Sequence, residues 1–189
     1  MTAYLDNSAT TPVCSEAVEA MKTAVTELWG NPSSLHQKGI EADEMLENAR
    51  SNVARRLFCR DDEVYFISGG TESNNLAVQG AAHAMRRRGR RIVTTSVEHP
   101  SIDETVKHLE NEGFEVIRLG VDKNGRISER ELFEAVTPDT ILVSIMAVNN
   151  ETGTIQPVEA ARTAVTRAKS PALVQIGRAS CRERVCPTV

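Results

Sequence analysis

The 189 residues carry 22 Lys plus Arg against 26 Asp plus Glu, a formal net charge of −4, with 40% hydrophobic and 25% charged residues. That balance excludes wholesale disorder and collagen-like composition, supplies enough apolar material for a real core, and favours neither nucleic acid nor an acidic membrane surface as a partner. No apolar run approaches the roughly 18 residues that would span a bilayer, and Met1 to Asp6 has neither the basic start nor the apolar stretch of a secretion signal, so a cytoplasmic location is expected.

In chain order, two helices come first. Residues 15–28 place Val18, Met21, Val25 and Leu28 at helical spacing, and residues 41–57 do the same with Met45, Ala49, Val53 and Leu57. From Asp61 onward strands and helices alternate: strands are predicted at 63–67, 91–96, 115–119, 140–146 and, barely begun, 172–174. Helices are predicted between them at 71–85, 101–112, 128–135 and 158–169. Ile102, Val106 and Leu109 share one helical face, and Ser128 with Glu131 has capping-box spacing. Such alternation predicts an α/β fold, a mainly parallel sheet with helices on both faces.

The run Arg86, Arg87, Arg88, Arg90, Arg91 reads as a solvated helix C-terminus, with Gly89 as its cap. No aromatic residues are interleaved to stack bases, as a nucleic-acid patch would need. Cys14, Cys59, Cys181 and Cys186 form neither a metal-like pair of pairs nor a redox motif; the first two read as reduced thiols. Composition breaks at Gln175, where Arg178, Arg182, Arg184, Cys181 and Cys186 follow with no periodicity. A buried strand is expected to have a return element, and the words from Ile176 to Val185 read like a translated sequencing adapter. Residues 175–189 are therefore expected to be read-through. Residues 1–174 are expected to be an N-terminal segment plus an incomplete cofactor-binding large domain.

The chemistry concentrates at predicted strand ends. Val64 to Leu76 reads strand, small residues, helix: Gly69 and Gly70 allow close backbone approach, and the helix N-terminus offers unpaired N–H groups beside the Thr71 and Ser73 hydroxyls. This suits a phosphate, although a tight turn with a Thr cap explains the same residues. No Lys follows, so it is not a Walker A loop. His99 ends the 91–96 strand, and Asn149, Asn150 and Glu151 follow the 140–146 strand. Taken singly, His99 reads as a hydrogen-bonded structural histidine and the amides as an Asn-rich turn. Three polar strand ends on one side of a sheet point to a shared pocket. The ligand inferred is a phosphate-bearing cofactor with a flat, hydrogen-bonding head.

The segments Tyr4 to Pro12, Gly30 to His36, Ser68 to Asn75, Glu98-His99-Pro100 and Val143 to Gly153 also carry a family resemblance. Together, in this order, they resemble the signatures of cysteine desulfurases of the NifS/IscS type, pyridoxal-phosphate enzymes of the class V aminotransferase family. The resemblance runs through nearly all of residues 4–174. It implies a fold type I large domain, with Gly70 and Thr71 holding the phosphate of pyridoxal 5′-phosphate. By the same resemblance His99 stacks on the ring and is a candidate for proton transfer, Asn150 meets the ring hydroxyl, and Ala9 and Asn31 lie toward the substrate. The implied substrate is L-cysteine, converted to alanine with sulfur passed to an enzyme cysteine and on to an acceptor or scaffold protein for iron–sulfur cluster or thio-cofactor assembly. The implied parent is a homodimer with no metal, nucleic-acid or membrane partner.

Other family features are missing. The family Asp and Gln lie just past the strand that begins at Ala172, and the Schiff-base Lys and the catalytic thiol lie further on. None of the five lysines, Lys22, Lys38, Lys107, Lys123 and Lys169, stands in the expected setting, and none of the four cysteines is assigned as nucleophile. The chain by itself is expected to be inactive and to expose surface that a second half would cover. Two other readings stay open: another class V enzyme, such as a selenocysteine lyase or an aminotransferase, and a non-catalytic module that keeps only the phosphate pocket.

Overall fold

Alternating strand and helix periodicity builds the expected sheet in the computed structural model, which describes residues 3–4 and 10–177. The chain divides between Phe66 and Ile67 into two compact units.

The first unit holds helix α1 (Ser15–Thr26), helix α2 (Gln37–Leu57) and a 3-10 turn at Asp61–Glu63. α2 starts four residues before the predicted 41, because the His36 side chain accepts the Gly39 N–H and so caps the helix. Gly39 is needed there: a Cβ would stand 2.1 Å from the Ser34 carbonyl oxygen. α2 ends at Phe58, whose left-handed φ of 56° turns the chain out. α1 has the predicted apolar stripe but buries none of its residues; Val18, Met21 and Val25 are 46%, 62% and 74% exposed. Cys14 and Cys59 are free thiols; Cys181 and Cys186 lie outside the described residues.

The predicted strand at 63–67 does not form. Val64 is buried, but Tyr65, Phe66 and Ile67 are exposed, and no ladder among the described residues includes them. β-rich sequence makes a strand only where a neighbour supplies hydrogen-bond partners.

The second unit runs α3 (Gly70–Met85), β1 (Arg91–Thr95), α4 (Pro100–Asn111), β2 (Glu115–Leu119), α5 (Glu129–Ala135), β3 (Thr140–Met146), α6 (Val158–Arg167) and β4 (Leu173–Gly177). The strand order is β2-β1-β3-β4 and every pairing is parallel. Adjacent residues of one strand face opposite sides, which yields two cores. Ile92 and Leu142 pack with Val78 and Ala82 of α3 and Ile102, Val106 and Leu109 of α4. Val93, Val143 and Ile145 pack with Leu132 of α5 and Ala161 and Ala164 of α6. Helices therefore cover both faces, as the alternation predicted.

Three local readings are refined. β4 continues through Gln175, Ile176 and Gly177, in register with Ser144, Ile145 and Met146, so it extends past the predicted 172–174. The remaining residues of the sequence-defined tail, 178–189, lie outside the described residues. Gly89 is not the helix cap, because α3 ends at Met85 with Arg86 in the capping position. Gly89 instead lets Asp139 approach: a Cβ would lie 2.0 Å from the Asp139 carbonyl oxygen. Arg91, at the end of the arginine run, lies in β1 and pairs with Glu115 at 3.0 Å. Of the capping box read at Ser128 and Glu131 one half forms: the Ser128 hydroxyl accepts the Glu131 N–H at 3.4 Å. Among the described residues, no helix is long and apolar enough to cross a membrane.

Candidate functional site

The parallel order brings the loops after β1 and β3 to one edge of the sheet; α4 begins directly after the β1 loop, and the start of α3 meets it in space, where Thr71 and His99 line the same cavity. Gly69 precedes α3 with no side-chain cap. The first amides of a helix, here those of Gly70 and Thr71, have no intrahelical partner and lie at the positive end of the dipole. A Cβ at Gly69 would meet nothing within 4 Å, so its backbone is open to approach. Glu72 folds back to accept the Ser68 hydroxyl and N–H at 2.6 and 2.7 Å. Those two bonds hold its carboxyl below the ordinary range.

His99 is the N-cap of α4 and Pro100 occupies the first turn. Proline suits that place because the amide it lacks would have had no helical partner. The imidazole Nδ1 accepts the Ser101 N–H at 3.1 Å and lies 2.8 Å from Ser101 Oγ. Thr71 and His99 line one cavity of about 490 Å³, together with Asn75 and Gln79 of α3 and Ser101 and Thr105 of α4. Two of the sequence candidates are thus brought together, and Gly70 adjoins them through the chain.

Asn150 is exposed in the turn after β3 and is not among the residues lining that cavity. Its neighbour Asn149 holds the loop. Its Nδ2 donates to the Val97 carbonyl at 3.2 Å, and its Oδ1 accepts the N–H groups of Glu151 and Thr152, each at 2.9 Å. The loop after β3 is thereby tied to the loop after β1. Asn31, in the first unit, is an exposed turn residue whose Oδ1 accepts the Ser33 N–H at 3.0 Å. Ala9 lies outside the described residues.

Three polar residues at this edge were given no role by the sequence, although Asn74 and Glu98 stand within the motif segments. Asn74 and Ser101 are buried and bonded to each other, Asn74 Nδ2 to Ser101 Oγ at 2.8 Å. Glu98 accepts the Met146 N–H at 2.7 Å and the Thr95 hydroxyl at 3.1 Å with Oε1. Its buried Oε2 has no partner among the described residues. Burial pushes the Glu98 carboxyl up to about 7, against the two hydrogen bonds that lower it.

Comparison with known proteins sets this edge in a family. The sequence profile of the Aminotransferase class-V family matches residues 3–180. The chain belongs to that family. Its class V relatives include a NifS/IcsS protein homolog of Lactobacillus delbrueckii subsp. bulgaricus, 54% identical over 156 residues, which are 82% of this chain and 40% of the relative. A cysteine desulfurase IscS of Methanosarcina thermophila is 50% identical over 156 residues, 82% of this chain and 39% of that protein. The chain therefore spans about 40% of the length of these curated relatives. Among solved structures, a NifS-like protein matches with a TM-score of 0.89 and 43% identity, over 93% of this chain and 48% of that one. A structure of SspA in complex with cysteine matches at 0.83 and 35% identity, over 92% of this chain and 50% of that one. The class V fold of the second unit, helices on both faces of a parallel sheet, agrees with these neighbours.

Proposed function

We propose that this chain carries the cofactor-seating front of a pyridoxal 5′-phosphate-dependent cysteine desulfurase. The observation that carries the reading is the cavity of about 490 Å³ shared by Thr71 and His99. The residues present suit the cofactor. An uncapped helix N-terminus with a hydroxyl fits a phosphate ester, and a capping imidazole on the same cavity fits a planar ring. The order of motifs and the cysteine desulfurases among the relatives support the same reading.

In this reading the Gly70 and Thr71 N–H groups and the Thr71 hydroxyl bind the phosphate. His99 covers the ring, and Asn150, carried on the loop that Asn149 ties to Val97, reaches the ring hydroxyl. When bound, the cofactor supplies an electron sink for bonds at the α-carbon of an amino acid. The substrate proposed is L-cysteine, giving alanine, with sulfur taken by an enzyme thiol and passed to an acceptor or scaffold protein for iron–sulfur cluster or thio-cofactor assembly. The protein so read works as a cytoplasmic homodimer.

None of the five lysines lines the cavity, so the 189-residue chain alone should bind the cofactor without turning over cysteine. Titrating the chain with pyridoxal phosphate tests this. Saturable binding is expected, competed by inorganic phosphate and weakened about tenfold or more by Thr71→Val, since a hydrogen bond to a charged group contributes about 1.5–3 kcal/mol. Binding that neither phosphate nor Thr71→Val disturbs would overturn the site. Release of alanine from cysteine by the chain would overturn its inactivity.

A further inference from the structure

A buried polar chain ends on His99, and the direction of its hydrogen bonds can be worked out from the donors it contains. As the N-cap of α4, His99 Nδ1 accepts the Ser101 backbone N–H at 3.1 Å, and a backbone amide can only donate. Ser101 Oγ lies 2.8 Å from the same Nδ1. Oγ also receives the Asn74 Nδ2 at 2.8 Å, and an amide NH₂ again only donates. The single hydroxyl proton of Ser101 is therefore left for His99 Nδ1. Asn74 and Ser101 are only 6% and 8% exposed, so water cannot readily take over either bond.

We propose that Ser101 and Asn74 are positioning residues that hold His99 in the Nε2–H tautomer. Both groups facing Nδ1 donate, so that nitrogen carries no proton, and the ring proton sits on Nε2, the nitrogen left for a ligand or water. His99 is then a fixed hydrogen-bond donor at the cavity, and Nε2 is closed to use as a base in this state. The assignment concerns the apo chain; its bearing on the reaction rests on the cavity being the cofactor site proposed above.

Long-range ¹H–¹⁵N correlation spectra of the ¹⁵N-labelled full chain at neutral pH test it, with His99 assigned by the signal lost in His99→Gln. A pyridine-type Nδ1 and a pyrrole-type Nε2 are expected. Asn74→Asp replaces the donor facing Ser101 Oγ with an acceptor, and should draw the hydroxyl proton away and shift ring proton population toward Nδ1. Ser101→Ala should give a mixed tautomer, and Ser101→Thr should restore the parent pattern, a rescue that a purely structural role does not require. A wild-type Nδ1–H tautomer overturns the proposal even if every variant fails to fold. So does an unchanged ring pattern in folded Asn74→Asp and Ser101→Ala chains. Because no cofactor is added, failure to bind pyridoxal phosphate would count against the proposed function and leave this result standing.

Discussion

Glu98, just beyond β1, reaches across to β3 and accepts the backbone N–H of Met146 at 2.7 Å. The same oxygen takes the Thr95 hydroxyl at 3.1 Å, so one carboxylate clamps the ends of two neighbouring strands beside the His99 loop. The clamp leaves Oε2 buried without a partner among the described residues.

This arrangement predicts a pH-dependent stability. The folded Glu98 carboxyl titrates at about 7, above its ordinary 4.5, because of burial. The folded state thus holds its proton more tightly than the unfolded chain. The contribution is fully present below about 4.5 and is lost as pH rises through about 7, by at most about 3 kcal/mol. Glu98→Gln keeps an acceptor for Met146 and removes the titration. Urea unfolding at pH 5 and pH 8 should show a smaller loss of stability for Glu98→Gln than for the parent. Equal losses would refute the assignment.

Gly89→Ala should be destabilising although the residue lies outside any helix or strand. The added Cβ would stand 2.0 Å from the Asp139 carbonyl oxygen, and backbone cannot give way as a flexible side chain does. The expected cost is about 2 kcal/mol or more, read as a lowered Tm. An unchanged Tm would show that the approach of the two loops relaxes freely.

The two faces of the sheet should respond separately. Ile92 lies in the core under α3 and α4, and Val93 in the core under α5 and α6. Ile92→Val should cost about 0.5–1.5 kcal/mol and speed amide exchange chiefly in α3 and α4, loosening the wall that carries Thr71 and His99. Val93→Ala should speed exchange chiefly in α5 and α6. Hydrogen-exchange mass spectrometry decides, and identical patterns for the two variants would contradict the division.

Ser128→Ala removes the side-chain cap on the seven-residue α5. A loss of about 1 kcal/mol is expected, with fraying confined to α5 and visible in the exchange of Glu131. Retention of full stability would mean that packing of Leu132 alone holds the helix.

Much of the fold was legible in the sequence because periodicity is local. Ile102, Val106 and Leu109 mark the buried face of α4 by spacing alone, and alternation of strand and helix already requires parallel pairing. The ordered motifs likewise placed the chain in its family. What tertiary structure decided were relations between distant residues. Asn74 and Ser101 stand 27 positions apart, and Glu98 and Met146 stand 48 apart. Single-residue pattern carries no trace of such pairs, because each type is ordinary at a surface and becomes informative only once burial removes water. The same reason explains the segment 64–67, β-rich in composition yet without a ladder. A strand is completed by its neighbour, whereas a helix satisfies its own backbone and is announced by its own residues.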